Sequence, residues 1–147
     1  MQLNKKLKYS SILMNNSIKM IRYFEGIRVF TCNFNKFNQG AACTIPGMGI
    51  FVGISQSGNT DLLRHEFGHI LQQRQKGFLY FWIRIVPASL WSAFRTSFTG
   101  KHVHMHTRAE WTANLLSYNY FKQPVEWNFN KYPIQSVWTV NKLKAKN

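Results

Sequence analysis

Residues 59–77 read NTDLLRHEFGHILQQRQKG, and the rest of the chain is best organised around them. Asn59-Thr60-Asp61 is a strong helix start, because a Thr or Asp side chain there can accept hydrogen bonds from the exposed N–H groups of the first turn. Leu62, Leu63, Phe67, Ile70 and Leu71 recur at helical spacing and predict a helix over 62–76 with an apolar stripe. The basic run Arg74-Gln75-Lys76 suits a helix C-terminus, and Gly77 ends it.

Inside this helix, His65-Glu66-Phe67-Gly68-His69 matches H-E-x-x-H. Residues four apart share one helical face, so His65 and His69 can hold one ion together. Glu66 projects about 100° around the helix from His65, where it can take a proton from a water on the metal. Gly68 permits another segment to approach closely. The flanking apolar residues imply a buried inner face, where a His-Glu-His cluster without an ion is costly to desolvate.

Composition limits what can complete the site. The 147-residue chain carries 19 Lys+Arg against 5 Asp+Glu, a formal net charge of +14. Apolar residues make up 45% and aromatics 16%, which excludes a solvated disordered chain and suits a core of one domain. The scarcity of acids excludes an EF-hand or paired magnesium ions. A carboxylate must come from Glu25, Asp61, Glu66, Glu110 or Glu126. The positive charge predicts attraction to an anionic partner, such as nucleic acid, a membrane surface or an acidic substrate. Cys32 and Cys43 lack metal-type spacing and could be two thiols or one disulfide.

Outside the central helix, residues 1–20 are rich in Lys, Asn and Ser and predict a flexible basic arm. A single domain is expected over 21–140, followed by a basic tail over 141–147. Ile27–Thr31 and Gly49–Ile54 predict short strands, the second after the turn-rich IPGMG. The aromatic segment FLYFWIRIVPASLWSAF, residues 78–94, predicts two short helical pieces split at Pro87. It is short for a bilayer span and is interrupted by Arg84. A core-building role is favoured, with an apolar substrate pocket or a membrane-surface contact as alternatives. Residues 101–107, KHVHMHT, predict a strand or an extended loop. Residues 108–121 predict a second helix with Trp111, Leu115 and Tyr118 on one side, and the remainder reads as an irregular wrap over the core.

A catalytic zinc site usually takes three protein ligands and one water. Asp61 is better used at the helix start, Glu25 lies in the N-terminal region, and Glu126 sits in the irregular tail. Glu110, on the second helix, is the favoured third ligand, and Asn114 at i+4 shares its face and could orient a ligating histidine. The competing ligands are His102, His104 and His106, which fall on one side of an extended segment.

HEFGH followed downstream by Glu110-Trp111-Thr112-Ala113-Asn114 (E-x-x-A-N) resembles the gluzincin type of zinc metallopeptidase. The wider run is similar to small bacterial HExxH proteins, through His65–Gln72, Gly77–Tyr80, Pro87–Leu90, Tyr120-Phe121 and Trp127–Pro133. Together these pieces cover roughly half the chain. The resemblance implies a zincin-like α+β domain, mainly helical with a small antiparallel sheet. It also implies Zn2+ on His65, His69 and Glu110, with Glu66 as general base. Many gluzincins carry Asp where Asn114 stands.

The expected function is that of a zinc-dependent hydrolase, a small metallopeptidase acting on peptide or protein. His104, His106 and Tyr118 are candidates for oxyanion stabilisation. The alternative is a metal-stabilised binding module on an anionic membrane or nucleic acid. With a histidine as third ligand, the chain would instead resemble SprT-type proteases, which act on DNA-bound proteins. The basic N-terminus lacks the apolar stretch of a secretory signal, so the expected location is cytoplasmic, with a possible peripheral position at a membrane.

Overall fold

Two residues, Glu25 and Gly26, both take positive φ (49° and 75°) and fold the chain back on itself. This left-handed pair suits the right-handed twist of a tight hairpin. It joins β1 (Lys19–Phe24) to β2 (Ile27–Cys32) in antiparallel pairing. The computed structural model describes residues 18–99, 104 and 107–135. The expected basic arm therefore lies outside the described residues up to 17, as does the tail over 141–147, while residues 19 and 20 already belong to β1.

After β2 the chain passes through a short helix α1 (Asn35–Asn38) and β3 (Ala42–Ile45) to reach β4 (Gly49–Gly53). The four strands form one sheet in the order β1-β2-β4-β3. The expectation of a small antiparallel sheet is corrected here, since the sheet is mixed. β2 and β4 run parallel, pairing Val29 with Ile50 and Phe30 with Phe51, while β3 pairs antiparallel with β4. The physical reason is the long excursion over residues 33–48, which lets the chain return to β2 in the same direction. β4 is buried along its whole length, as a central strand should be. Phe30 and Phe51 stack with centroids 4.9 Å apart. Cys32 is buried and Cys43 exposed, and no disulfide joins them.

The central helix α2 (Thr60–Lys76) stops where its sequence says it should and starts two residues before the expected Leu62. Its cap is Asn59, however, rather than Thr60 or Asp61: Asn59 Oδ1 accepts from the Leu62 N–H at 3.1 Å. Asp61 sits in the first turn, where a negative charge favours the helix dipole. Gly77 takes φ 88° and closes the helix with an N–H bond to the Gln73 carbonyl. The helix is buried over most of its circumference between Leu62 and Gln72, so the predicted stripe is only part of its contact surface. The chain divides into two compact units, one ending at Leu63 and one beginning at Arg64. All residues of the candidate site lie in the second.

In that second unit, residues 78–99 are helical almost throughout. A short α3 (Phe78–Tyr80) leads into a π-helical stretch (Phe81–Ile85) and then α4 (Val86–Thr99). The predicted break at Pro87 appears as this widened stretch just before it. Pro87 cannot donate to the preceding turn, and wider winding makes room for its ring without ending the helix. The favoured core-building role of 78–94 is also corrected. Phe81 is buried, but Leu79, Ile83, Leu90 and Trp91 are 64–72% exposed.

The last helix, α5 (Arg108–Tyr120), matches its predicted range to within a residue. The face it buries is Ala109, Glu110, Ala113, Asn114 and Ser117. Trp111, Leu115 and Tyr118 are only half-buried. Small residues on that face let α5 approach α2 closely. An added Cβ at Gly68 would lie 2.2 Å from the Ala113 carbonyl oxygen. Ser117 Oγ donates to the Arg64 carbonyl oxygen at 2.6 Å, a second tie between the two helices. Beyond α5 the chain is irregular, with Trp127 and Tyr132 buried, as the expected wrap requires.

Gly68→Ala is expected to cost about 3 kcal/mol of stability in urea denaturation, since neither backbone can give way. Gly58→Ala, where an added Cβ meets nothing within 4 Å, is the control and should stay within about 0.5 kcal/mol of wild type. Equal midpoints for the two variants would contradict the close crossing.

Candidate metal centre

His65 and His69 occupy successive turns of α2, and Glu110 reaches them from the first turn of α5. All three are buried, and Glu110 has no exposed surface. Their ligand atoms lie within 4.8 Å of one another. Glu110 Oε2 stands 3.2 Å from His65 Nε2 and 3.3 Å from His69 Nε2. Two zinc bonds of about 2.0–2.1 Å at the tetrahedral angle separate their donor atoms by about 3.4 Å. These two separations suit a small tetrahedral ion.

Two carboxamides orient the imidazoles. His65 Nδ1 is 2.7 Å from Asn114 Oδ1, and Asn114 Nδ2 donates to the Pro133 carbonyl oxygen at 2.9 Å. His69 Nδ1 is 2.8 Å from Gln72 Oε1, and Gln72 Nε2 donates to the Ala109 carbonyl oxygen and to Thr112 Oγ1, each at 2.6 Å. With each amide nitrogen committed elsewhere, each amide oxygen faces a ring nitrogen that must donate. The Nδ1 atoms therefore carry protons, and both Nε2 atoms turn toward Glu110.

The carboxylate is divided in the same way. Ser89 Oγ donates to Glu110 Oε1 at 2.6 Å. Glu110 Oε2 is buried, faces the two Nε2 atoms and has no other hydrogen-bond partner. A buried carboxylate oxygen left so is costly unless a cation takes its charge. Burial opposes ionisation of Glu110, but His69 and His65 outweigh it and hold the carboxyl well below its usual range. Burial likewise opposes a charged His69, yet the carboxylate of Glu110 outweighs it, helped by Glu66 and Gln72, and the ring is pushed up to about 9. Without an ion, a proton on His69 is what balances Glu110.

Glu66 is buried, and its charge acts on both His69 and His104. His104 lies beside the cluster rather than in it. Its Nε2 is 3.6 Å from Glu110 Oε1, and its Nδ1 is 3.0 Å from Ser92 Oγ. Burial lowers the His104 pKa, against the pull of Glu110. Tyr118 is turned toward the aromatic tail, edge-on to Trp127 and Phe129 at 5.5 and 5.4 Å. His102 and His106 lie outside the described residues. Glu126, set aside as a ligand, meets Arg64 at 3.0 Å on the surface.

Three contributors carried no assigned role in the sequence: Gln72, Ser89 and Tyr132. Gln72 could have been found, since i+3 from His69 on a helix is a neighbouring position. Ser89 could not, because its contact depends on how the 78–99 helix lies across α5. Tyr132 packs its ring 5.4 Å from that of His65, at a tilt of 31°, and reaches there only through the irregular segment after α5.

In the metal-free chain, the His69 pKa of about 9 exceeds its ordinary 6.5, so folding favours the protonated ring. That stabilisation is complete below about pH 6.5 and is lost as pH rises through about 9. The melting temperature in chelator should fall across that window. In Glu110→Gln the window should vanish, because burial then dominates and carries His69 below its ordinary value. Imidazole titration by NMR checks the residue directly, and an unchanged His69 titration in Glu110→Gln would refute the pairing.

No family model, no curated protein and no solved structure matches this chain.

Proposed function

We propose that the chain is a zinc-dependent hydrolase, most simply a peptidase, with His65, His69 and Glu110 as the metal ligands. The carrying observation is the convergence of two Nε2 atoms on Glu110 Oε2, all buried, at 3.2 and 3.3 Å. Two imidazoles and one carboxylate are a donor set of borderline softness that zinc favours. Three protein ligands leave a position open, as catalytic rather than structural zinc sites do. Glu110 is preferred to His104 as third ligand because its oxygen faces both Nε2 atoms, whereas His104 meets Glu110 from the far side.

Bound zinc would supply Lewis acidity, polarising a water and the carbonyl it attacks. The protein's own contribution is positional and protolytic. Asn114 and Gln72 hold the imidazoles in the ligating tautomer, and Ser89 holds Glu110 so that one oxygen remains available. Glu66, next to His65 on the same helix, accepts the proton of the attacking water and returns it to the leaving amine. His104, kept neutral by burial, is placed to donate a hydrogen bond near the cluster.

The test separates binding from chemistry. Mass spectrometry of purified wild type should find about one zinc per chain, and His69→Ala and Glu110→Ala should lose it. Glu66→Gln should keep the zinc while hydrolysis of a peptide mixture falls about 10²–10⁴-fold. Full zinc content in Glu110→Ala would sink the ligand assignment, and undiminished turnover in Glu66→Gln would sink the mechanism.

Zinc must also displace the proton that His69 holds in the metal-free chain. Apparent zinc affinity should therefore rise with pH, about tenfold per unit, and level off near pH 9. Calorimetry at neutral pH in buffers of different ionisation heat should show release of about one proton. A pH-independent affinity would contradict the site.

A further inference from the structure

The helical segment 78–94 is amphipathic in the inverted sense. Phe81, Ile85, Ser89 and Ser92 follow one another at spacings of four, four and three, and this is the stripe turned inward. Half of it is polar: Ser89 bonds Glu110, and Ser92 meets His104. Leu79, Ile83, Leu90 and Phe94, at spacings of four, seven and four, form the opposite stripe, each more than half exposed. Trp82 and Trp91, 37% and 64% exposed, project on either side of it. A helix that turns serines inward and leucines outward leaves an apolar surface of the kind that marks an interaction site.

Charge identifies the occupant. From Phe67 to Ala109 the sequence holds no Asp or Glu, but six cations: Arg74, Lys76, Arg84, Arg95, Lys101 and Arg108. Arg84 and Arg95 are exposed on the same helical segment. Lys76, Arg84 and Arg108 also line a cavity of about 470 Å³ next to it, together with Tyr80 and Ile85 and with no acidic residue. A second copy of the chain would bring these cations against their own kind, at +14 per chain. Nucleic acid would satisfy the cations and leave the apolar stripe unused. An anionic bilayer satisfies both, because acyl chains take the stripe and headgroup phosphates take the cations. Trp side chains favour the boundary between the two, and arginine stems can reach from one to the other. Among the described residues no helix is long and apolar enough to cross a membrane, so the contact is a surface one.

We propose that the outward face of residues 79–94 docks the protein onto an anionic phospholipid surface, lying in the headgroup layer with Leu79, Ile83, Leu90 and Phe94 toward the acyl chains. The proposal does not require the metal reading and can fail or stand without it.

The experiment is co-sedimentation of the full chain with vesicles of equal parts phosphatidylcholine and phosphatidylglycerol, beside vesicles of phosphatidylcholine alone. Binding is expected to the anionic vesicles and to be weak on the neutral ones. Ile83→Ser and Leu90→Ser should each weaken it about tenfold. Arg84→Ala should weaken it about fivefold, the contribution of one cation at an anionic surface. Brominated acyl chains should quench wild-type tryptophan fluorescence, and less so in Trp91→Phe, which keeps the test decisive if a serine variant fails to fold. Equal binding to both vesicle types, undiminished binding of folded Leu90→Ser, or no quenching would each overturn the proposal. So would a wild-type dimer in sedimentation velocity that Leu90→Ser converts to monomer, since that assigns the face to a second copy.

Discussion

Glu110 is the group on which the second compact unit turns. It is an acid with no exposed surface in a chain of net charge +14, and it is held between two helices. Burying a carboxylate costs several kcal/mol unless other charges and donors replace water. Here two imidazoles, a serine hydroxyl and the close crossing of α2 on α5 do so. The crossing itself depends on Gly68, because the Ala113 carbonyl occupies the space that any side chain there would need. Backbone packing and site geometry are thus one constraint: the glycine between the motif's glutamate and its second histidine admits the helix that brings Glu110 to the two imidazoles.

The polar residues around the site form a single connected system. Asn114 joins His65 to the carbonyl of Pro133, and Gln72 joins His69 to the first turn of α5. Each carboxamide has one end on a ring and the other on backbone, so neither imidazole can rotate without breaking the hydrogen bond at its Nδ1. Asn114 brings a carboxamide rather than a carboxylate to His65. A neutral carboxamide still fixes the tautomer, and it adds no second negative charge beside Glu110. In a low-dielectric interior, a further carboxylate beside Glu110 would raise the cost of keeping Glu110 ionised.

Residues 78–94 invert an ordinary pattern. In most surface helices the apolar stripe faces the core. Here the inward stripe is shared with serines that support Glu110 and His104, and the larger apolar side chains are left outside. Hydrophobicity favours a core role for residues 78–94 but leaves a pocket or a membrane contact open. Composition gives the amount of apolar surface, but which side meets the protein depends on what else packs there.

The sequence by itself determined α2, its cap region and its end, the H-E-x-x-H face, and α5 with Glu110 and Asn114 on a common side. These follow from local rules: a helix has a fixed period, and capping and glycine chemistry act within a few residues. With only five acids to choose from, it also narrowed the candidates for a third ligand to Glu110 or a nearby histidine. Tertiary structure alone decided that Glu110 and not His104 faces both Nε2 atoms, that Ser89 and Tyr132 join the site, that β2 and β4 run parallel, and that the aromatic segment turns its leucines outward. Each of these depends on contacts between residues distant in sequence, whose distances and directions are set only when whole elements pack, and no local periodicity encodes them.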